Sequence, residues 1–166
     1  MVLIGLMGSG KTTVARLVAT ALGRPMRDSD DELEAEHGLS AAQQVARHGA
    51  DLLHQREARQ LQQALADRRA PVVAAAASVV EDPACRAALA GAFVVWLDAP
   101  AAVLAERMRD GAHRPHYHPD LEKMLTEQYQ RRARWFSQVA DLRVDVAESS
   151  PRQAAERVLA ALPGSG

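Results

Sequence analysis

The first residues with recognisable chemistry stand near the start of the chain, in the stretch GLMGSGKT at positions 5–12. Two glycines separated by four residues, followed by lysine and threonine, have the spacing of a phosphate-binding loop, although a glycine-rich turn can imitate it. In such a loop the backbone N–H groups at the start of a helix surround a phosphate. We expect Lys11 to reach the β- and γ-phosphates of a nucleotide and Thr12 to bind Mg²⁺. The candidate nucleotide-binding residues here are Gly8, Ser9, Gly10, Lys11, Thr12 and Thr13.

Three aspartates form a second candidate group in the stretch RDSDDELE, which follows a short predicted strand. Asp28 and Asp30 lie two residues apart, so in an extended segment they would face the same side. One carboxylate near Mg²⁺ and one near an acceptor hydroxyl are what phosphoryl transfer needs. The alternative is an acidic helix start, and we expect Asp31 to cap that helix and to favour its dipole.

A third candidate is the polar stretch RMRDGAHRPHYHPD, which combines glycine, prolines and charges. We expect a mobile lid at about 110–119 that closes over ATP and delivers an arginine to the transferred phosphoryl group, with Arg107, Arg109 and Arg114 as the candidates. An ordinary solvated loop is the alternative. Zinc binding is a further alternative, but no fourth ligand accompanies the three histidines His113, His116 and His118.

These residues need a scaffold, and the apolar segments of the chain alternate with helical ones. Apolar strands separated by helices predict a doubly wound parallel sheet of five strands, with ligands at the carboxyl ends of the strands. The predicted strands are 2–6, 25–27, 71–75, 92–98 and 142–146. The predicted helices are 12–21, 31–37, 40–48, 51–67, 83–90, 101–109, 119–138 and 151–162.

The composition of the 166 residues limits the classes of function. A net charge of −1 argues against a nucleic-acid or membrane-surface binder, since both usually carry a basic face. The single cysteine, Cys85, excludes an internal disulfide and suits a reducing compartment. We therefore expect one cytoplasmic domain over 1–166 that acts as a monomer, without nucleic acid or membrane.

Taken in order, these motifs resemble the shikimate kinase family of P-loop small-molecule kinases, from Val2 to Leu162. The stretch GLMGSGKTTVARLVATALG resembles the family's phosphate loop and first helix, and DSD at 28–30 its aspartate pair. The later segment RAALAGAFVVWLD resembles a helix and strand of the family, and HRP at 113–115 its lid arginine. The last matching segments are RRARWFSQVADLRVD, which resembles the part with an acceptor-binding arginine, and ESSP, which resembles the adenine-side loop.

The resemblance implies the fold, the reaction and the roles of single residues. It implies a nucleoside-monophosphate-kinase-like sheet with strand order 2-3-1-4-5, and transfer of a phosphoryl group from ATP, with Mg²⁺, to a hydroxyl of shikimate. Asp28 would help to hold Mg²⁺ through water, and Asp30 would orient the attacking hydroxyl and accept its proton. Arg114 would bind the γ-phosphate from the lid, Arg132 the acceptor's carboxylate, and Arg107 would pack against adenine.

The chain departs from the family's pattern on the acceptor side. Three glycines that end the family's third strand are replaced here by Ala76, Ala77 and Ser78. Alanine does not easily hold a positive φ, so we expect either a changed backbone or a smaller pocket. In the acceptor-binding lobe at about 31–67, His54 replaces an arginine that binds the acceptor's carboxylate. Loss of a charge-assisted hydrogen bond costs about 1.5–3 kcal/mol.

Several functions therefore stay open. Shikimate is the first expectation for the acceptor, and another cyclitol or sugar acid is the alternative. Arg132 predicts that the acceptor carries an anionic or strongly hydrogen-bonding group. A nucleotide-binding homologue without catalysis would also explain changes on the acceptor side, although Lys11, Asp28 and Asp30 are all present. A nucleoside kinase would need a base-stacking pocket, for which the lobe at 31–67 offers no aromatic residue.

Overall fold

A parallel sheet lies at the centre of the computed structural model, which describes residues 1–110 and 120–162. Its order is β2-β3-β1-β4-β5 and all pairs are parallel, so the strand order implied by the family resemblance is confirmed. The five strands in these described residues are β1 Val2–Ile4, β2 Met26–Asp28, β3 Val72–Ala74, β4 Val94–Asp98 and β5 Leu142–Asp145.

Burial along the strands shows that both faces of the central part of the sheet are covered. All residues of the central strands β1, β3 and β4 are buried, as expected of strands with packing on both faces. The edge strand β5 is only partly buried and alternates charged and apolar residues. The uninterrupted apolar runs in the sequence therefore become the middle of the sheet.

Helices flank the sheet and complete the core. The helices of the described residues are α1 Lys11–Leu22, α2 Ser29–His37, α3 Ala41–His48, α4 Ala50–Ala66, α5 Pro83–Leu89, α6 Ala101–Asp110, α7 Leu121–Val139 and α8 Pro151–Ala160. A short 3₁₀ helix, Ala77–Glu81, follows β3. Helix α1 packs on β3 and α8, and α7 packs on β4 and α6. The most deeply buried helical side chains include Val14, Val18, Leu125, Phe136 and Val158.

Each predicted strand and helix is present, and the differences lie at the ends. Strand β1 ends at Ile4 because the backbone of Gly5 turns at a φ of 144°. Helix α2 begins two residues earlier than predicted, at Ser29, because the preceding aspartate caps it. Within the parts of the chain that the structure describes, no helix is long and apolar enough to cross a membrane.

Candidate active site

The phosphate loop connects β1 to α1 and depends on glycine at three positions. Gly10 precedes α1 at φ 86° and offers no side-chain cap, so the first N–H groups of the helix stay available for an anion. A Cβ on Gly5 would lie 2.4 Å from the carbonyl oxygen of Leu97, and one on Gly8 would lie 2.9 Å from that of Leu104. The loop is therefore pressed against β4 and α6.

Lys11 is held at the loop by backbone oxygens. Its Nζ donates hydrogen bonds to the carbonyl oxygens of Gly5 at 3.0 Å and Leu6 at 3.1 Å. Ser9, a residue of the loop itself, is buried, and its Oγ has no hydrogen-bond partner among the described residues. Thr13 is exposed on the first turn of α1. The loop thus gathers a cation and helical N–H groups at one edge of the sheet.

Asp28, the last residue of β2, connects the loop to helix α2. Its Oδ2 accepts a hydrogen bond from the Thr12 hydroxyl at 2.6 Å. Its Oδ1 accepts the backbone N–H groups of Asp30 at 3.0 Å and Asp31 at 3.4 Å, so Asp28 is the N-cap of α2. The prediction that Asp31 caps this helix was wrong; Asp31 lies in the first turn, where its charge favours the dipole.

The position of Asp30 also differs from the expectation of an extended segment. Helix α2 begins at Ser29, so Asp30 is a helical residue and does not alternate with Asp28 along a strand. Asp30 is exposed, whereas Asp28 is 7% exposed. Both still belong to the carboxyl end of β2, because the helix begins directly after the strand.

The pair of Thr12 and Asp28 fits Mg²⁺ bound in part by water and phosphate. A hydroxyl and a carboxylate oxygen lie 2.6 Å apart beside the phosphate loop, and both are ligand types that Mg²⁺ accepts. No cluster of three or more histidine, cysteine, aspartate or glutamate side chains that could hold a metal occurs in the described part of the chain. Such a sparse protein donor set is typical of Mg²⁺ at nucleotide phosphates.

A buried carboxyl group, Glu57 of α4, lies beside this edge. It is 6% exposed and accepts a hydrogen bond from the hydroxyl of Ser78. Burial raises the pKa of Glu57 to about 7, and the hydrogen bond from Ser78 opposes the shift. The charge of Asp30 raises this pKa further, whereas Arg132 and Lys11 lower it. The pKa of Glu57 therefore depends on charges at the phosphate loop and on the charge of Arg132.

The alanine run after β3 adopts an ordinary backbone. Ala76 has φ −60° and ψ 145°, and the 3₁₀ helix Ala77–Glu81 follows it. Among the described non-glycine residues, only Ala70 has a positive φ. The segment thus uses conformations that L-residues prefer. Ala76 and Ser78 are both 8% exposed, so the added side chains are buried.

Arg132 of α7 is buried and already paired with a carboxylate of the chain. It is 5% exposed, and its Nε donates to Glu81 while its Nη1 donates to Gln128 at 2.9 Å. His54 of α4 is half-buried close by. Burial, and then the charge of Arg132, lower the pKa of His54, so the imidazole is neutral at neutral pH. The structure therefore brings the predicted acceptor-side residues His54, Ser78 and Arg132 into one charged neighbourhood.

Arg107 links α6 to the loop between β5 and α8. Its Nη2 donates hydrogen bonds to the carbonyl oxygens of Val146 and, at 2.9 Å, of Ala147. This loop continues into the ESSP stretch that the family resemblance places beside adenine.

The lid expected at about 110–119 lies outside the described residues except for position 110. Arg114 and the three histidines His113, His116 and His118 also lie outside them.

Comparison with known proteins identifies the family. A family model described as shikimate kinase matches residues 7–163. A shikimate kinase from Mycobacterium tuberculosis is 35% identical over 162 residues, which cover 97% of this chain and 92% of that relative. The chain belongs to the shikimate kinase family. A further shikimate kinase, from Symbiobacterium thermophilum, is 39% identical over 115 residues, which cover 69% of this chain and 66% of that protein.

Solved structures agree with this family membership. The shikimate kinase from Acinetobacter baumannii, in complex with shikimate, matches with a TM-score of 0.87 at 28% identity. The match covers 95% of this chain and 89% of that one. The expectation of a P-loop kinase fold of the shikimate kinase family is thus confirmed at the level of sequence and of fold.

Two acidic residues of this shikimate kinase family member were missed in the sequence, and both left a signal. Glu57 stands on the apolar face of α4, where an ionisable residue is unusual. The buried residues of that face are Leu53, Glu57, Gln60, Leu61 and Ala64. Glu81 ends an otherwise apolar run after β3, at the sheet edge where ligands of such folds gather.

Proposed function

We propose that the protein transfers the γ-phosphoryl group of ATP to a hydroxyl of shikimate. The observation that carries this proposal is the Thr12–Asp28 pair beside the phosphate loop, in a chain of the shikimate kinase family. The relative from Acinetobacter baumannii, which binds shikimate, supports the choice of acceptor. We further propose that one kinase unit acts as a monomer.

On the nucleotide side, Lys11 and the loop N–H groups would bind the phosphates. Thr12, and Asp28 through water, would hold Mg²⁺. The metal, when bound, neutralises charge on the phosphate oxygens. Lys11 would exchange its bonds to loop carbonyls for the β- and γ-phosphates. Arg107 would pack against adenine while its hydrogen bonds hold the loop after β5.

On the acceptor side, Asp30 would orient the hydroxyl and accept its proton as the oxygen attacks the γ-phosphorus. The bond from that phosphorus to the ADP oxygen breaks as the new ester bond forms. Arg132 would bind the acceptor's carboxylate, assisted by an N–H of the neutral His54. The backbone of Ala76, Ala77 and Ser78 would line the pocket.

Two segments complete the proposal. The lobe at about 31–67 would carry the acceptor, and the lid at about 110–119 would bring Arg114 to the γ-phosphate. Positioning and charge neutralisation account for most of the rate in such phosphoryl transfer, since the protein forms no covalent intermediate.

The test is ADP release by the purified protein with Mg²⁺ and ATP, in the presence and absence of shikimate. We expect shikimate to stimulate release strongly, and mass spectrometry to detect the phosphate ester. The Lys11→Ala variant serves as the blank. ATP binding without stimulation by shikimate, but with stimulation by another cyclitol or sugar acid, would assign a different acceptor. Binding without any turnover would identify a non-catalytic homologue.

A further inference from the structure

The acceptor side of the site contains a carboxylate of the protein's own. Glu81, the last residue of the 3₁₀ helix after β3, pairs with the guanidinium of Arg132 and lies 3.3 Å from Nε of Arg131. The Arg132 side chain is 6% exposed, whereas that of Glu81 is 32% exposed. The buried arginine thus meets a carboxylate at the boundary with solvent.

The hydrogen bonds of Arg132 leave part of its guanidinium for a ligand. The described residues accept hydrogen bonds from its Nε and Nη1 but not from its Nη2. Guanidinium groups bind carboxylates best through two parallel N–H donors. With Nε engaged by Glu81, a carboxylate that arrives at this face must share the guanidinium or displace Glu81.

Glu81 and Arg132 carry opposite charges at neutral pH, so the pair itself has no net charge. Burial disfavours the charged form of Glu81, but the hydrogen bond and charge of Arg132, and the charge of Arg131, outweigh burial and lower its pKa. Glu81 is therefore ionised at neutral pH. His54, which is neutral at neutral pH, adds no positive charge. Of the two arginines near Glu81, only Arg132 is buried.

We propose that Glu81 is a specificity-determining residue, a built-in carboxylate that competes with the acceptor's carboxylate for Arg132. This inference rests on the proposed function, because it concerns how the same site binds its acceptor. Competition weakens the binding of anionic acceptors and leaves uncharged ones unaffected. The difference in affinity between shikimate and an analogue without the carboxylate is therefore smaller than it would be without Glu81.

Replacement of Glu81 by glutamine tests the competition, because it removes the charge and keeps the size. We expect Glu81→Gln to lower the Kd and the KM for shikimate about tenfold, the difference between a charge-assisted and a neutral hydrogen bond. The KM for ATP should stay the same. The matched control is Glu156→Gln, which removes the same charge from an exposed position on α8. Calorimetry gives the Kd without any need for turnover.

Two further measurements show whether the effect passes through Arg132. In an Arg132→Met background, Glu81→Gln should leave the Kd for shikimate unchanged. The carboxamide analogue of shikimate should bind wild type and Glu81→Gln equally. Unchanged shikimate binding in Glu81→Gln, or an equal gain in Glu156→Gln, would overturn the inference.

The same data separate this inference from the proposed function. If the wild type phosphorylates shikimate and Glu81→Gln binds it no more tightly, the inference fails and the function stands. If the wild type does not phosphorylate shikimate but Glu81→Gln gains affinity for it, the function fails and the competition stands. If neither protein binds shikimate, both are overturned.

Discussion

The nucleotide side and the acceptor side of the site are held together by different kinds of contact. On the nucleotide side, Lys11 bonds to carbonyls five and six residues away, and the partner of Thr12 is sixteen residues away. On the acceptor side, Ser78 and Glu57 are 21 residues apart in the chain, and Glu81 and Arg132 are 51 apart.

This difference shows where the local sequence determines a binding site and where the tertiary fold does. A phosphate loop needs glycine dihedrals and helical N–H groups, which follow from a short stretch of residues. Buried ionisable side chains need partners brought from other elements, since an unpaired charge is costly away from water. Substitutions on each side of the site test this division.

Lys11→Ala is expected to lower kcat by about 10²- to 10³-fold, because it removes the cation that we propose to bind the transferred phosphoryl group. The fold should be unaffected, since Lys11 is only partly buried and its partners are loop carbonyls. Steady-state kinetics and circular dichroism give the two measurements. The chain offers one matched control, Lys123→Ala, because Lys123 is its only other lysine and is exposed on α7. Equal losses in both variants would contradict a local role for Lys11.

The nucleotide side was predictable because its signals are short. The spacing of glycine, lysine and threonine predicted the loop, and apolar periodicity predicted the strands and helices. Even here the predicted N-cap of α2 was wrong. Asp28 and not Asp31 caps α2, because a residue that ends a strand can accept the first helical N–H groups while its other oxygen faces Thr12.

The acceptor side should respond to pH through Glu57. Its pKa rises from 4.5 to about 7 on folding, mainly through burial, so the folded state holds the proton more tightly than the unfolded chain. The free energy of unfolding of the wild type should therefore fall, by up to about 3 kcal/mol, as the pH rises from 4.5 to 7, and change little above that. Glu57→Gln mimics the protonated form and should lose this dependence.

Urea unfolding of both proteins at pH 5 and pH 8 measures this difference. We expect Glu57→Gln to gain stability relative to wild type at pH 8 but not at pH 5. The exposed Glu156→Gln controls for the loss of one charge. An equal difference between wild type and Glu57→Gln at both pH values would show that Glu57 titrates normally.

The acceptor side was harder to predict from sequence for a physical reason. The exchange of glycines for Ala76, Ala77 and Ser78 was visible, and so was His54. The partner of the new Ser78 hydroxyl was not visible, because Glu57 reaches it only after α4 packs against the 3₁₀ helix. The pairing of Glu81 with Arg132 was not visible either, because an ion pair between residues 51 positions apart leaves no recurring spacing in the sequence.

Asp28 joins the two sides, and two substitutions separate its roles. Asparagine caps helices about as well as aspartate but carries no charge for the metal, so Asp28→Asn should lower kcat/KM about ten- to hundredfold without loss of stability. Asp28→Ala should show the same kinetic loss and also lower the free energy of unfolding by about 1 kcal/mol. Kinetics at varied Mg²⁺ and urea unfolding measure the two effects. An unstable Asp28→Asn variant would mean that the charge itself supports the cap.

Replacement of Arg107 is expected to change the kinetics least, and it tests whether the nucleotide side also depends on long-range contacts. It belongs to the nucleotide side, yet its partners Val146 and Ala147 are 39 and 40 residues away. Arg107→Ala leaves these two carbonyls without their donor, so the loop that we propose to lie beside adenine should be less ordered and the KM for ATP should rise about three- to tenfold. The value of kcat should not change, because the contact joins Arg107 only to carbonyl oxygens of the loop after β5. Arg109→Ala, an exposed arginine of the same helix, should have no effect. If Arg107→Ala leaves the KM for ATP unchanged, the nucleotide side depends on its local loop alone, and long-range pairing is confined to the acceptor side.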